Sequence, residues 1–89
     1  MSADQAAALM ELLARGVTAC QRRDIAALRR VVIALTGSLD FRYEHATRAL
    51  AAMYDSGLRD AERGHFARAR AIFQRLLSVM TEVAGGRRD

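Results

Sequence analysis

The chain has 89 residues, 52% of them hydrophobic and 27% charged, with a net charge of +4, no proline, no tryptophan and a single cysteine. This length leaves room for one small core and excludes a large enclosed active site; the apolar share argues against intrinsic disorder, and no apolar run reaches the roughly 18 to 20 residues of a membrane span. One thiol supports neither an internal disulfide nor paired-thiolate zinc ligation, and an N-terminus with Asp4 but no basic stretch ahead of an apolar block predicts a cytoplasmic protein without a secretory signal.

The apolar spacing predicts helix throughout. Ala6, Leu9, Leu13, Val17 and Cys20 recur at three- and four-residue steps, Ser2 and Gln5 have the spacing of a capping box, and Arg22 and Arg23 suit the negative end of the first helix, over 3–22. Asp24 reads as the next N-cap, ahead of the stripe Ile25, Leu28, Val32 and Leu35, over 25–36, with Gly37 and Ser38 ending it. A third helix, 41–63, carries Tyr43, Ala46, Leu50, Met53, Tyr54, Leu58 and Ala61, with Asp40 as its N-cap and Gly64 as the left-handed residue that ends it. The fourth, 65–84, carries Phe66, Ala69, Phe73, Leu76, Met80 and Val83, and stops at Gly85 and Gly86 before the tail Arg87, Arg88 and Asp89. The expected fold is all-α: a small antiparallel four-helix bundle with short turns, one domain over 1–84 and a disordered tail over 85–89.

Groups able to carry chemistry are sparse. His45 and His65 lie twenty residues apart, no His-x-x-x-His pair is present, and Glu62 and His65 stand on either side of the turn at Gly64 and not on one helix face. Cys20 is in register with Val17 on the apolar stripe and reads as a small buried hydrophobe. Met10, Met53 and Met80 read as packing groups, with a soft peptide-binding groove as the alternative. All 14 basic residues are arginine, with Arg22, Arg23, Arg29 and Arg30 clustered and Arg68, Arg70 and Arg75 on a helix whose one acid is Glu82. Ten acids are interspersed, and neither a polar recognition helix nor interleaved aromatics accompany the arginines, so solvated faces explain them better than nucleic acid does. The expectation is therefore a protein without enzymatic activity, cofactor or metal. Apolar residues exceed what one stripe requires at Leu12 with Leu13, at Val31 with Val32 and Ile33, at Ile72 with Phe73 and at Leu76 with Leu77, which predicts surface for a partner helix.

The stretch Ser38-Leu39-Asp40-Phe41-Arg42-Tyr43, continuing through Leu50, Met53, Tyr54 and Arg59, resembles the flagellar secretion chaperones of the FliS family. Those proteins carry a Ser-Leu-Asp element and then a helix with a Leu-x-x-Leu-Tyr pattern, here with methionine in the second leucine place. Leu12-Leu13-Ala14-Arg15-Gly16-Val17 is similar to the family's Leu-Phe-x-Gly element, and Phe66, Ala69 and Ile72 match its last helix. The chain departs at Asp60, where a second basic residue is expected, at Ser56, where an aromatic is common, and in lacking the usual extension ahead of the first long helix.

The resemblance implies a cytoplasmic export chaperone that binds the disordered C-terminal segment of flagellin, or of another secreted protein, along apolar grooves and keeps it deliverable to the export gate. Leu9, Leu13, Val17, Leu50, Met53, Tyr54 and Leu58 are the residues expected to line such a groove. A homodimer through exposed apolar grooves stays open, and no membrane insertion is expected. Gly57, Gly64, Phe66, Ala69 and Phe73 also fall at spacings similar to a tetratricopeptide repeat, which would imply a small type III secretion co-chaperone with a repeat-like helical hairpin. An arginine-rich nucleic-acid-binding helical protein is the remaining alternative.

Overall fold

Helix α1 (Ala3–Gln21) begins at a reciprocal cap: the Ser2 hydroxyl accepts the N–H of Gln5 at 3.1 Å, and the Gln5 side chain accepts the N–H of Ser2 at 2.8 Å. Helix α2 (Ile25–Gly37) begins at Asp24, whose carboxylate accepts the Ala27 N–H at 3.0 Å. Both features follow from the local sequence, and each satisfies a backbone donor that the helix itself leaves unpaired. The computed structural model describes residues 2–40 and 42–85.

Helix α3 (Glu44–Glu62) starts later than its apolar pattern predicts, and Asp40 is not its N-cap. The Asp40 carboxylate instead takes the Arg42 backbone N–H at 3.0 Å and the Arg42 guanidinium at 2.7 to 3.1 Å, while its carbonyl accepts the Tyr43 N–H at 3.2 Å. A neighbouring guanidinium outcompetes the helix N–H groups for this carboxylate, and the chain makes a turn before the helix can nucleate. Tyr43 becomes a cap residue without a side-chain bond and stands 66% exposed. Thr47 replaces it inside, its hydroxyl donating to the Asp40 carbonyl at 2.6 Å. The expected helix start at Phe41 lies outside the described residues. Helix α4 (Phe66–Gly85) runs one residue later than expected at each end, with Val83 of its stripe exposed, as is Val79; Gly86 and the tail residues Arg87, Arg88 and Asp89 lie outside the described residues.

Two turns of identical design join the helices in pairs. After α1, the N–H of Asp24 bonds to the Ala19 carbonyl at 2.9 Å and that of Arg23 to the Cys20 carbonyl at 3.2 Å, with Arg23 left-handed at φ 55°. After α3, His65 bonds to Asp60 at 2.8 Å and Gly64 to Ala61 at 2.9 Å, with Gly64 at φ 84°. This is the double hydrogen bond that closes a helix when the residue past its end turns left-handed. Glycine adopts that conformation freely, whereas arginine does so against its Cβ.

The four helices form a small antiparallel bundle in which α1 packs on α2 and α4, and α3 on α2 and α4. Leu13, Leu28, Leu35, Tyr54 and Phe73 are fully buried at its centre. Burial of such side chains stabilises by about 1.5 to 3 kcal/mol each and is the main term holding helices this short together.

The bundle is two hairpins in register. Helices α1 and α3 have 19 residues each and begin 41 positions apart, as do α2 and α4. Buried positions repeat with that offset: Leu13 and Tyr54, Gly16 and Gly57, Cys20 and Ala61, Leu28 and Ala69, Val32 and Phe73, Leu35 and Leu76. The inward faces of the hairpins are thus equivalent, and their outward faces are not.

Candidate helix-binding groove

An open concavity of about 670 Å³ runs along the outside of the α1/α2 hairpin. Leu12, Ala19, Ala27, Val31 and Ala34 give it an apolar floor. The floor is shallow because alanine lies along the seam, exposed at Ala14 and Ala34, half-buried at Ala27 and buried at Ala19, leaving space where longer side chains would otherwise meet. Thr18 adds a hydroxyl, and four charged side chains stand along the groove in addition to Asp24 at the turn. Glu11 and Arg15 pair with each other at 2.9 Å. Arg22 and Arg30 have no ion-pair partner among the described residues.

The equivalent surface of the second hairpin is built oppositely. The alanines at 14, 19, 27 and 34 correspond to Asp55, Asp60, Arg68 and Arg75, while the rim residues Glu11, Arg15 and Arg30 correspond to Ala52, Ser56 and Ala71. On α3, Asp55 binds Arg59 at 3.0 Å across this face. Ala19 is itself buried and Ala27 packs against the core, whereas at positions 14 and 34 and their counterparts Asp55 and Arg75 the side chains are exposed, and there the exchange of alanine for charge is not demanded by packing of the bundle.

The residues expected to line a groove lie elsewhere. Leu13, Val17 and Tyr54 are buried in the core, and burial raises the Tyr54 phenol above its ordinary range. Leu9, Leu50, Met53 and Leu58 are half-buried and pack against that core. They form the stripe that faces the bundle axis, so a partner could reach the buried three only by opening the bundle. The excess apolar positions were the better signal: Leu12 and Val31 line the groove, and Ile33 is 71% exposed on α2. The alanines of the floor carry little hydropathic signal of their own and stand out only against the charged residues 41 positions later.

Cys20 is a buried free thiol; burial pushes it above its ordinary range, and the Arg70 guanidinium offsets this in part. His45 and His65 are exposed. Among the described residues, no three metal-ligating side chains converge, and no helix is long and apolar enough to cross a membrane.

A second feature is the concentration of arginine at the end of the bundle where the two helix-closing turns meet. The Arg23 guanidinium lies 5.3 Å from the centre of the Phe66 ring, and Arg29 binds Glu62 at 2.9 Å, which joins the two hairpins there. Arg22, Arg63, Arg68 and Arg70 stand exposed around this end without ion-pair partners among the described residues.

No family model, curated protein or solved structure matches the chain.

Proposed function

We propose that the protein is a non-enzymatic, cytoplasmic export chaperone of the FliS type, which holds the C-terminal segment of a flagellin as a helix in the α1/α2 groove. The reading is carried by one observation: an open groove whose floor is apolar and whose charges stand at the rim, where the second hairpin carries charge at the floor positions. The likeness of the Ser38 to Arg59 stretch to flagellar secretion chaperones supplies the cargo. A segment that is unfolded alone and helical when bound hides its own sticky face together with that of the groove, and the cost of ordering it keeps the complex reversible. That is what prevention of premature filament assembly and delivery to the export gate require.

Co-expression with the flagellin of the same genome, and with that flagellin lacking its C-terminal segment, tests the cargo. Recovery of the intact flagellin alone is expected. Equal recovery of both, or of neither, rejects it. The turn-end arginines favour a second reading, binding to nucleic acid, whose signature is an affinity that falls steeply between low and physiological salt.

A further inference from the structure

We infer that the α1/α2 groove takes an acidic amphipathic helix of about three turns, lying parallel to α1 with its carboxylate-bearing C-terminal end beside Arg22. The inference rests on the groove reading above and adds the chemistry and polarity of the occupant.

Length follows from the groove. Its walls extend from Glu11 to Arg22 along α1, which at 1.5 Å per residue is about 17 Å, or about 11 residues of a helical partner. The floor matches an apolar stripe at i, i+3, i+4 and i+7, and its alanines admit large side chains from the partner.

Charge follows from the rim. Glu11 and Arg15 neutralise each other near the end remote from the turn, and the Asp24 carboxylate is committed to the first turn of α2. Arg30, midway, and Arg22, beside the turn, are the rim cations without an ion pair among the described residues, and with Asp24 counted the groove lining keeps a net positive charge. The dipoles of α1 and α2 oppose each other at the turn, so these side chains set the local field. A bound helix is negative at its C-terminal end, and that end, with any carboxylates on its flanks, belongs at Arg22; its positive N-terminal end belongs beside Glu11. The second hairpin keeps a cation at the place of Arg22, in Arg63, but has Ala71 for Arg30 and charge where the floor would be, so it offers no equivalent track.

The test uses fluorescein-labelled synthetic peptides of about 14 residues with one leucine stripe, carrying glutamates on the flanks of the C-terminal half, the same glutamates in the N-terminal half, or arginines in the C-terminal half. Binding is followed by fluorescence anisotropy to the full chain. The peptide with C-terminal glutamates is expected to bind about fivefold more tightly than the one with N-terminal glutamates, and the arginine peptide most weakly. The Arg22→Gln, Arg30→Gln double variant should erase that order. Ala27→Trp fills the floor and should weaken every peptide more than tenfold; Ala34→Trp, at an exposed position, does the same without burdening the fold. Equal affinities for all three peptides, still blocked by tryptophan, overturn the inference and leave the groove intact. Binding that both tryptophan variants leave unchanged, or no peptide binding at all, overturns the groove reading as well. A labelled single-stranded RNA that binds more tightly than any peptide, survives tryptophan and is lost with Arg22 and Arg30 would reassign the arginines to nucleic acid.

Discussion

Gly57 on α3 lies directly against the ring of Phe73 on α4: a Cβ built on Gly57 would stand 2.7 Å from Cε2 and 2.9 Å from Cζ of that ring. On the other side, a Cβ on Gly16 of α1 would stand 3.3 Å from Cδ1 and Cγ of the same ring. Phe73 is completely buried, so the largest fully buried side chain of α4 occupies a slot that exists because two helices omit a side chain at the same level. A Gly57→Ala chain should lose about 1 kcal/mol, since overpacking costs about 1 to 3 kcal/mol and the better helix propensity of alanine returns up to about 1. Gly16→Ala, whose Cβ is still crowded but needs the ring to give by only a few tenths of an ångström, should cost less than Gly57→Ala. Thermal melts of the two variants test this, and a melting point for Gly57→Ala at or above that of the parent would refute it.

The two helix-closing turns differ in one residue, and the difference should be measurable. Gly64→Ala meets no neighbouring atom but forces a Cβ into left-handed backbone, for an expected loss of about 1 kcal/mol. Arg23 already bears that strain, offset in part by its stacking on Phe66. Arg23→Gly should therefore be close to neutral, and Arg23→Ala, which keeps the strain and loses the stacking, should be less stable than Arg23→Gly by about 1 kcal/mol in urea unfolding.

The two aspartates ahead of helices have different jobs. Asp24→Ala removes a helix cap and should cost about 1 kcal/mol. Asp40→Ala should leave the melting point unchanged, because its carboxylate pairs with an exposed arginine and the bond to Thr47 comes from its backbone carbonyl. Thr47→Val, which removes the shorter of the two hydrogen bonds to that carbonyl from a buried side chain, should cost more than Asp40→Ala.

Asp40 should nonetheless titrate abnormally. The hydrogen bonds from Arg42 lower its pKa from 3.8 to about 2. A depressed folded-state value means that the contribution of this exposed, solvent-screened pair, too small to move the melting point, is present at pH above about 4 and lost as the pH falls from about 4 to about 2. Carboxyl NMR titration should show the low value in the parent chain and a rise towards the ordinary range in Arg42→Ala, which removes the guanidinium and keeps the backbone N–H bond; an Asp40 titration unaltered by that substitution would show that the Arg42 guanidinium is not the cause.

Cys20 should behave as a core residue. With its thiol buried and its pKa raised, labelling by a thiol reagent at pH 8 has to await opening of the bundle. The native rate should be roughly a hundredfold or more below that of the denatured chain. Comparable rates would place Cys20 at the surface.

The sequence by itself determined the four helices, the reciprocal cap at Ser2 and Gln5, the Asp24 cap, the left-handed Gly64 and the inward stripes apart from Tyr43, Ala46 and Val83 at their ends, because each depends on residues within one or two helical turns. It misplaced the start of α3, where Arg42 competes for the carboxylate that a cap would need. It also assigned Leu13, Val17 and Tyr54 to a groove, since a stripe on one helix does not say whether its partner is another helix of the chain or another molecule. Tertiary structure decided that point. Packing the hairpins face to face spends the strongest stripes on the core, seats Phe73 between Gly16 and Gly57, and leaves a shallow alanine face on α1 and α2 as the open surface. Its arginines acquire meaning only once the α1/α2 turn brings Arg22 and Arg30 to the rim of one groove.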